Sequence, residues 1–245
     1  GDVTFFNGAL HLNIKEARKA DEGTYTESDY MPTSQKDIEE MYAELTSIIL
    51  SMKNEYLLKL TRRFFIDDKD FAAKFKRHSA AKRVHHGFVG GLLEHTLGVT
   101  KLCVTLADNY PYLNRDLLIT AAVFHDIGKV YELSAFPEND YTDAGQLLGH
   151  IVMGCEIIGR AVSEIDGFPV VLARELKHCV LAHHGEFEYG SPKKPALIEA
   201  VALHYADDID AKLETFKEAL NAPGAQAGEW LGFNKMLDSN IRSTI

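Results

Sequence analysis

Apolar residues recur with a helical period through most of the chain. In the first clear segment they stand three or four positions apart, which predicts an amphipathic helix that begins near Ser34 as its N-cap, with Asp37 three residues on. Its apolar positions are Ile38, Met41, Leu45, Ile48, Ile49 and Met52. Similar periods predict helices over residues 69–77, 88–108, 115–126, 147–164, 170–183 and 195–220. Gly, Pro, Asn and Asp separate these segments, so the main domain is expected to be all-α.

The start of the chain has a different pattern. Residues 3–6 and 9–14 are β-type segments on either side of Asn7-Gly8, a pair that suits a type I′ turn. This pattern predicts a β-hairpin within residues 1–20. Since a lone hairpin is only marginally stable in water, we expect it to complete a sheet whose earlier strands lie outside this chain.

The rest of the chain divides at changes of composition. Residues 21–33 are polar and are predicted to be a linker, whereas residues 34–220 form the helical domain and residues 221–245 a C-terminal tail. The tail permits a short helix near Trp230. No strand is expected after the N-terminal hairpin.

Composition narrows the class of protein. A hydrophobic content of 46% and a charged content of 25% are typical of a globular domain and exclude general disorder. Apolar runs are far shorter than the ~20 residues that a membrane span needs, so no membrane partner is expected. The cysteines Cys103, Cys155 and Cys179 lack the spacing of a thiolate metal site and indicate thiols in a reducing compartment, the cytoplasm.

Charge is distributed unevenly. Between Lys59 and Arg83 the chain has nine basic residues and three acidic ones, whereas the remainder is strongly acidic. We call residues 59–83 the basic strip. Such a strip on an acidic body fits a phosphate-bearing substrate, although a solvated helix face explains it equally well.

Two imidazoles and two carboxylates fall on the inward faces of three predicted helices. They are His95, His125, Asp126 and Asp207. Burying the two carboxylates without partners would cost several kcal/mol. A divalent cation would offset that cost, and this donor set suits Mn²⁺, Fe²⁺, Co²⁺, Ni²⁺ or Zn²⁺. The helical pattern therefore indicates a metal site between helices.

Two residues follow the His125-Asp126 pair closely. Gly128 is expected to let the chain leave the helix through a backbone conformation that other residues resist. Lys129 would then lie near the metal, where its ammonium group would neutralise a phosphate oxygen of a substrate.

Three segments carry a specific resemblance. They are Gly90-Gly-Leu-Leu-Glu-His95-Thr, His125-Asp-Ile-Gly-Lys129 and Leu203-His-Tyr-Ala-Asp207-Asp-Ile-Asp-Ala-Lys212. Together they resemble the HD-domain metal-dependent phosphohydrolases, and within these the YhaM-type 3′-to-5′ exoribonucleases. The resemblance covers about residues 34–220. It implies an HD-domain helical bundle preceded by an OB-fold, of which the N-terminal hairpin would be the last part.

The resemblance also assigns roles to residues of this chain. It implies core metal ligands at His95, His125, Asp126 and Asp207. His150, His183 and His184 match the positions that bind a second ion in many relatives, with Asp126 as the bridge. One or two ions per chain stay open, because one of the two adjacent histidines instead fits a role in orienting a ligand. Arg83 and His86 are candidate substrate contacts, although a solvent-exposed turn explains them as well.

The resemblance implies metal-assisted phosphodiester hydrolysis by water, with Asp126 and Lys129 as catalytic residues. Single-stranded RNA, and DNA as a further candidate, would lose nucleoside 5′-monophosphates from its 3′ end. The basic strip would guide the backbone, and its aromatic residues Phe64, Phe65, Phe71 and Phe75 would stack bases if they are not core. Two alternatives are a small-molecule nucleotide phosphodiesterase or nucleotidase, and a non-catalytic nucleic-acid-binding module. Assembly into a homo-oligomer is a further expectation.

Overall fold

A computed structural model describes residues 1–6, 9–18, 20–21, 23–25, 31–82, 86–222 and 224–244. The chain divides into two compact units, residues 1–31 and residues 32–245. Each unit has its own pattern of secondary structure.

The first unit is built on a two-stranded antiparallel hairpin. Strand β1, Asp2–Phe6, pairs with β2, Ala9–Asn13, in a register that places Asp2 opposite Asn13. The predicted hairpin is therefore confirmed, whereas the Asn7-Gly8 turn lies outside the described residues. Its origin in an OB-fold, and the division of the chain into hairpin, linker, domain and tail, stay predictions.

Helices make up most of the second unit, which confirms the all-α prediction. They are α1 Ile38–Leu50, α2 Glu55–Arg62, α3 Lys69–Arg77, α4 Gly91–Asn109, α5 Arg115–Phe124, α6 Lys129–Glu132, α7 Asp143–Ser163, α8 Val170–Ala182 and α9 Ile198–Leu220. Helix α4 packs against α5, α9 and α1, so it lies at the centre of the bundle. Among the residues described, no helix combines the length and the apolar character that crossing a membrane requires.

Two short segments of other helix types complete the unit. A π-helical turn, Arg63–Asp67, continues α2, and a 3₁₀ turn, Phe187–Tyr189, follows α8.

The N-cap of α1 differs from the prediction. Asp37, rather than Ser34, caps the helix, because its carboxylate accepts a hydrogen bond from the backbone N–H of Glu40 at 2.9 Å. Ser34 instead donates its hydroxyl to Glu94 at 2.6 Å. The predicted N-cap thus lies three residues, nearly one helical turn, before the observed one.

The prediction for the tail is wrong, because the tail contains a second hairpin. Strand β3, Trp230–Asn234, pairs antiparallel with β4, Ser239–Arg242, and the register shifts between Trp230 and Gly232. No helix forms at Trp230. The short, glycine-containing strands lack a clean two-residue alternation, which is why the hydrophobic pattern did not reveal them.

The phenylalanines of the basic strip belong to the core, which is the alternative under which they do not stack bases. Phe65, Phe71 and Phe75 are buried and Phe64 is half-buried. The rings of Phe65 and Phe75 pack edge to face with centroids 4.9 Å apart, and Phe64 packs the same way on Phe124 at 5.4 Å. These contacts fix α3 and the π-helical turn against α5, the helix that leads into His125.

Helix α7 is broken where it meets the site. It begins at Asp143, earlier than predicted, but Gly149 has φ 73° and ψ 157°, which interrupts the helical backbone. His150 therefore opens the second part of α7, with a backbone N–H that is free of the helical ladder.

Candidate metal centre

Three helices bring the four predicted core ligands together. His95 comes from α4, His125 and Asp126 directly follow α5, and Asp207 comes from α9. The Nε2 atom of His95 lies 3.1 Å from Nε2 of His125, 3.1 Å from Oδ1 of Asp207 and 3.5 Å from Oδ2 of Asp126. Residues that are distant in sequence thus meet within coordination reach of a common point.

A second group faces the other oxygen of Asp126. The Nε2 atoms of His150 and His183 lie 3.3 Å and 3.8 Å from Oδ1 of Asp126. These three atoms are buried, and among the described residues they have no hydrogen-bond partner. His184 joins them, since its ligand atom lies within 4.8 Å of those of His150 and His183. Buried polar atoms that converge without partners fit a cation, which would satisfy all of them.

All five imidazoles have the same orientation. Each uses Nδ1 for a contact within the protein, and the Nε2 atoms already described face the site. The partners are Asp210 Oδ2 for His95 (2.7 Å), Glu132 Oε1 for His150 (3.1 Å), and the backbone oxygens of Ala122, Val180 and Tyr189 for His125, His183 and His184 (each 2.7 Å). Donation from Nδ1 to these oxygens leaves the Nε2 lone pair for a cation.

Asp210 is a site residue that the sequence reasoning missed. It lies one turn beyond Asp207 on α9 and accepts the hydrogen bond that orients His95. Its approach depends on Gly98 of α4, because a Cβ atom there would lie 2.1 Å from Oδ1 of Asp210. The sequence signal was the three-residue spacing from Asp207, together with a small residue three positions after His95.

Glu132 is the second missed residue. Its Oε1 atom accepts hydrogen bonds from both the ring and the backbone N–H of His150, the latter at 2.9 Å. The break at Gly149 releases that N–H from the helical ladder. Glu132 therefore holds His150 at two points, through a carboxylate that lies three residues after Lys129.

Gly128 is required for a different reason from the predicted one. Its backbone is right-handed helical, with φ −62° and ψ −25°, so the predicted unusual conformation is wrong. A Cβ atom at this position would lie 2.0 Å from the backbone oxygen of His150. Glycine thus permits the close approach of α7 to the segment that follows Asp126.

Asp126 and Lys129 form a buried ion pair at 2.6 Å. Burial alone would raise the pKa of Asp126, but the charge of Lys129 and the contacts of His125 hold it well below its usual value. Burial would lower the pKa of Lys129, but Asp126 raises it. Asp126 is therefore ionised and Lys129 is charged, as a ligand and a phosphate-binding group require.

The imidazoles differ in charge. Burial lowers the pKa of His95, but hydrogen bonds to Asp207 and Asp210 outweigh burial and raise the pKa to about 10. Burial and the neighbouring imidazoles hold the pKa of His183 and His184 below the ordinary value. His183 and His184 are thus neutral and able to coordinate, whereas His95 carries a proton that a cation would replace.

A cavity of about 560 Å³ opens onto both groups. Lys129 lies in its wall, as do His86 and Tyr141, and Met236 of the turn between β3 and β4 contributes from the C-terminal hairpin. The cavity is large enough for a nucleotide-sized ligand. The hairpin that the sequence pattern did not predict therefore helps to form this cavity.

The structure describes only some of the other residues that were predicted to contact the substrate. His86 is buried beside His95, with ring centroids 5.2 Å apart, and lies in the cavity wall. Arg83 lies outside the described residues. Several cations of the basic strip are occupied by acidic partners: Lys76 by Glu39, Lys82 by Asp140 and Arg63 by Glu164. A basic path for nucleic acid stays a prediction.

Comparison with known proteins identifies the family. The HD domain matches residues 92–212, the stretch that carries every candidate ligand. A 3′-5′ exoribonuclease YhaM from Geobacillus sp. (strain WCH70) is 39% identical over 223 residues, which are 90% of this chain and 67% of that protein. The chain belongs to the HD-domain family. The resemblance found in the sequence is thereby confirmed.

A further relative places the chain in the YhaM group of that family. The 3′-5′ exoribonuclease YhaM of Bacillus velezensis is also 39% identical, over 90% of this chain and 69% of its own length. HD domains bind divalent metals, and the groups around Asp126 are close enough together to do so. No solved structure matches the chain.

Proposed function

We propose that this chain is a metal-dependent 3′-to-5′ exoribonuclease that acts on single-stranded RNA. The observation that supports it most is the pair of ligand groups that share Asp126 beneath a nucleotide-sized cavity. The similarity to two proteins named as 3′-5′ exoribonucleases gives the polarity and the substrate. The free thiols Cys103, Cys155 and Cys179 favour a reducing compartment, and we place the enzyme in the cytoplasm.

The donor set fits two divalent cations. His95, His125 and Asp207 would hold one, His150, His183 and His184 the other, and Asp126 would serve both through its two oxygens. Such cations supply a hydroxide nucleophile at neutral pH and stabilise negative charge on phosphate oxygens. Mn²⁺ is the ion that we test first, and the imidazole and carboxylate donors suit Fe²⁺, Co²⁺, Ni²⁺ and Zn²⁺ as well.

The chain's own residues position the substrate. Lys129 is charged and lies at the cavity wall, so its ammonium group is placed to bind a non-bridging phosphate oxygen. Asp210 and Glu132 keep the rings of His95 and His150 from rotating. His86 lines the same wall and is our candidate for contacting the leaving nucleotide. Arg83 stays a candidate phosphate contact from the sequence alone.

A labelled oligonucleotide tests this function. With Mn²⁺ and a 5′-labelled single-stranded RNA, we expect a ladder that shortens from the 3′ end and nucleoside 5′-monophosphates as products. Chelation should stop the reaction, and renewed addition of Mn²⁺ should restore it. Cleavage of mononucleotides or cyclic nucleotides alone would instead identify a small-molecule phosphodiesterase. Binding of RNA without hydrolysis under any divalent ion would identify a non-catalytic module.

Metal binding is expected to release a proton. Because the folded chain raises the pKa of His95 from 6.5 to about 10, this imidazole is protonated at neutral pH and must lose its proton to coordinate. The apparent affinity for Mn²⁺ should therefore rise as the pH increases towards about 10, by up to tenfold per pH unit, and level off above it. Calorimetry in buffers of different ionisation enthalpy measures the release directly. A pH-independent affinity, with no proton released, would contradict the assigned role of His95.

A further inference from the structure

The cavity that opens onto the ligand groups has two kinds of lining. Buried polar side chains, among them His95 and Asp126, belong to the metal centre. Three large side chains of the wall are instead exposed: Tyr141 by 46%, Tyr189 by 68% and Met236 by 56%. Aromatic side chains that are exposed in a cavity of nucleotide size are available to a ligand, because they are not committed to the core.

The rings of Tyr141 and Tyr189 pack on no aromatic ring and no cation among the described residues. Tyr131 differs in this respect, because Nζ of Lys74 lies 4.5 Å from the centroid of its ring. Single-stranded nucleic acid is commonly bound by aromatic side chains on which its bases stack. Two tyrosine rings without such partners therefore fit this role in a cavity that also contains Lys129.

Tyr189 is tied to the metal centre by its own backbone. Its carbonyl oxygen accepts the hydrogen bond, at 2.7 Å, that orients His184. Tyr189 ends the 3₁₀ turn Phe187–Tyr189, and Gly190 redirects the chain directly after it with φ 83°. The same residue thus anchors a candidate ligand through its backbone and carries an exposed ring in the cavity wall.

Tyr141 is tied to another histidine of the same ligand group. It pairs with Leu133 in an antiparallel bridge, and the backbone N–H of the next residue, Thr142, donates to the carbonyl oxygen of Glu132 at 2.9 Å. Glu132 is the residue that holds His150 at two points. Both tyrosines are therefore attached to segments that position the ligand group of His150, His183 and His184.

From these observations we propose that the rings of Tyr141 and Tyr189 stack on bases at the 3′ end of the substrate. This inference rests on the proposed function, since it takes the occupant of the cavity to be RNA. A ring stacks on every base, and none of the described residues that line the cavity is Asn, Gln or Arg, which commonly form paired hydrogen bonds with a base edge. Hydrolysis should therefore depend more on the presence of the terminal bases than on their identity.

Removal of the ring tests Tyr189. Tyr189→Ala should raise KM for single-stranded RNA about tenfold or more and leave kcat within about twofold, because stacking stabilises the bound substrate and the transition state alike. Tyr189→Phe retains the ring and should retain the wild-type KM. Mn²⁺ affinity should be unchanged in both variants, since the backbone oxygen that anchors His184 remains.

Removal of the bases tests the stacking itself. We expect RNA whose last two nucleotides are abasic to have a KM about tenfold or more above that of intact RNA with the wild-type chain. The double variant Tyr141→Ala/Tyr189→Ala should have nearly the same KM for both RNAs. A purely structural role of the tyrosines would leave the difference between the two RNAs in place.

The matched control is Phe187→Ala. Phe187 lies in the same 3₁₀ turn and is 59% exposed, but it is not part of the described cavity wall, so KM should change less than twofold. An equal rise of KM in Phe187→Ala and Tyr189→Ala would overturn the proposal, as would a double variant that still distinguishes abasic from intact RNA.

A binding measurement separates this inference from the proposed function. The anisotropy of a fluorescent single-stranded RNA, recorded with a chelator present, reports binding without hydrolysis. A wild-type chain that hydrolyses no RNA with any divalent ion refutes the proposed function, whereas equal dissociation constants for the wild-type chain and the double variant refute the stacking alone.

Discussion

Asn in place of Asp126 is expected to lower kcat/KM for single-stranded RNA by roughly a thousandfold, the equivalent of several kcal/mol of lost transition-state stabilisation. Asp126 is the residue that both ligand groups contact, through Oδ2 on one side and Oδ1 on the other. The amide keeps the size of the side chain but removes its charge. Mn²⁺ affinity, measured by calorimetry, should therefore fall at both positions.

The same substitution should destabilise the metal-free protein. Lys129 would lose its buried carboxylate partner, which typically costs about 3 kcal/mol or more. Asp143→Asn is the matched control, because Asp143 is an exposed residue in the first turn of α7 and its change should leave kcat/KM within about twofold. Hydrolysis by Asp126→Asn at the wild-type rate would refute the site assignment.

Ala in place of Gly128 is expected to have the second largest effect. The added methyl group would lie 2.0 Å from the backbone oxygen of His150, so α7 has to move away from the segment that follows Asp126. Overpacking of this kind costs about 1–3 kcal/mol, and the upper end is expected because the obstacle is backbone. His150 would move with α7, and we expect Mn²⁺ affinity and RNA hydrolysis to fall together.

Gly154→Ala provides the matched comparison. Gly154 lies in α7, the helix that Gly128 contacts. A Cβ atom added at Gly154 would make only ordinary contacts, 3.5 Å from a methyl group of Ile127 and 3.7 Å from the backbone nitrogen of Gly128. Alanine is favoured over glycine inside a helix by roughly 0.5–1 kcal/mol. Thermal unfolding should therefore shift upward for Gly154→Ala and downward for Gly128→Ala. A downward shift for both would show that α7 tolerates no added volume here.

The helix pattern and the ligand candidates were accessible from the sequence. His95, His125 and Asp207 each lie on the inward face of a predicted helix, and the period of the apolar residues specifies that face without any knowledge of the fold. Side chains on the inward faces of neighbouring helices enter the same core, so their convergence could be predicted. The positions of His150 and His183 came from the resemblance, because no apolar period marks them.

Features that depend on contacts between distant segments were not accessible. Gly128 was explained by its own backbone, although the decisive atom is the oxygen of His150. The phenylalanines of the basic strip were ambiguous, because their burial depends on where α5 lies. Asp210 is important because of its contact with α4, which the spacing along α9 alone does not reveal. In each of these cases the role of the residue depends on a tertiary contact, which the local sequence pattern does not specify.

The uniform anchoring of the five imidazoles has a thermodynamic consequence. Each ring is fixed through Nδ1 when the chain folds, so its torsional freedom is lost before any ion arrives. Binding then incurs little further loss of conformational entropy, which favours tight capture. The same rigidity restricts the radius of ion that the centre accepts, since the nitrogens are fixed in position and cannot follow an ion of a different size.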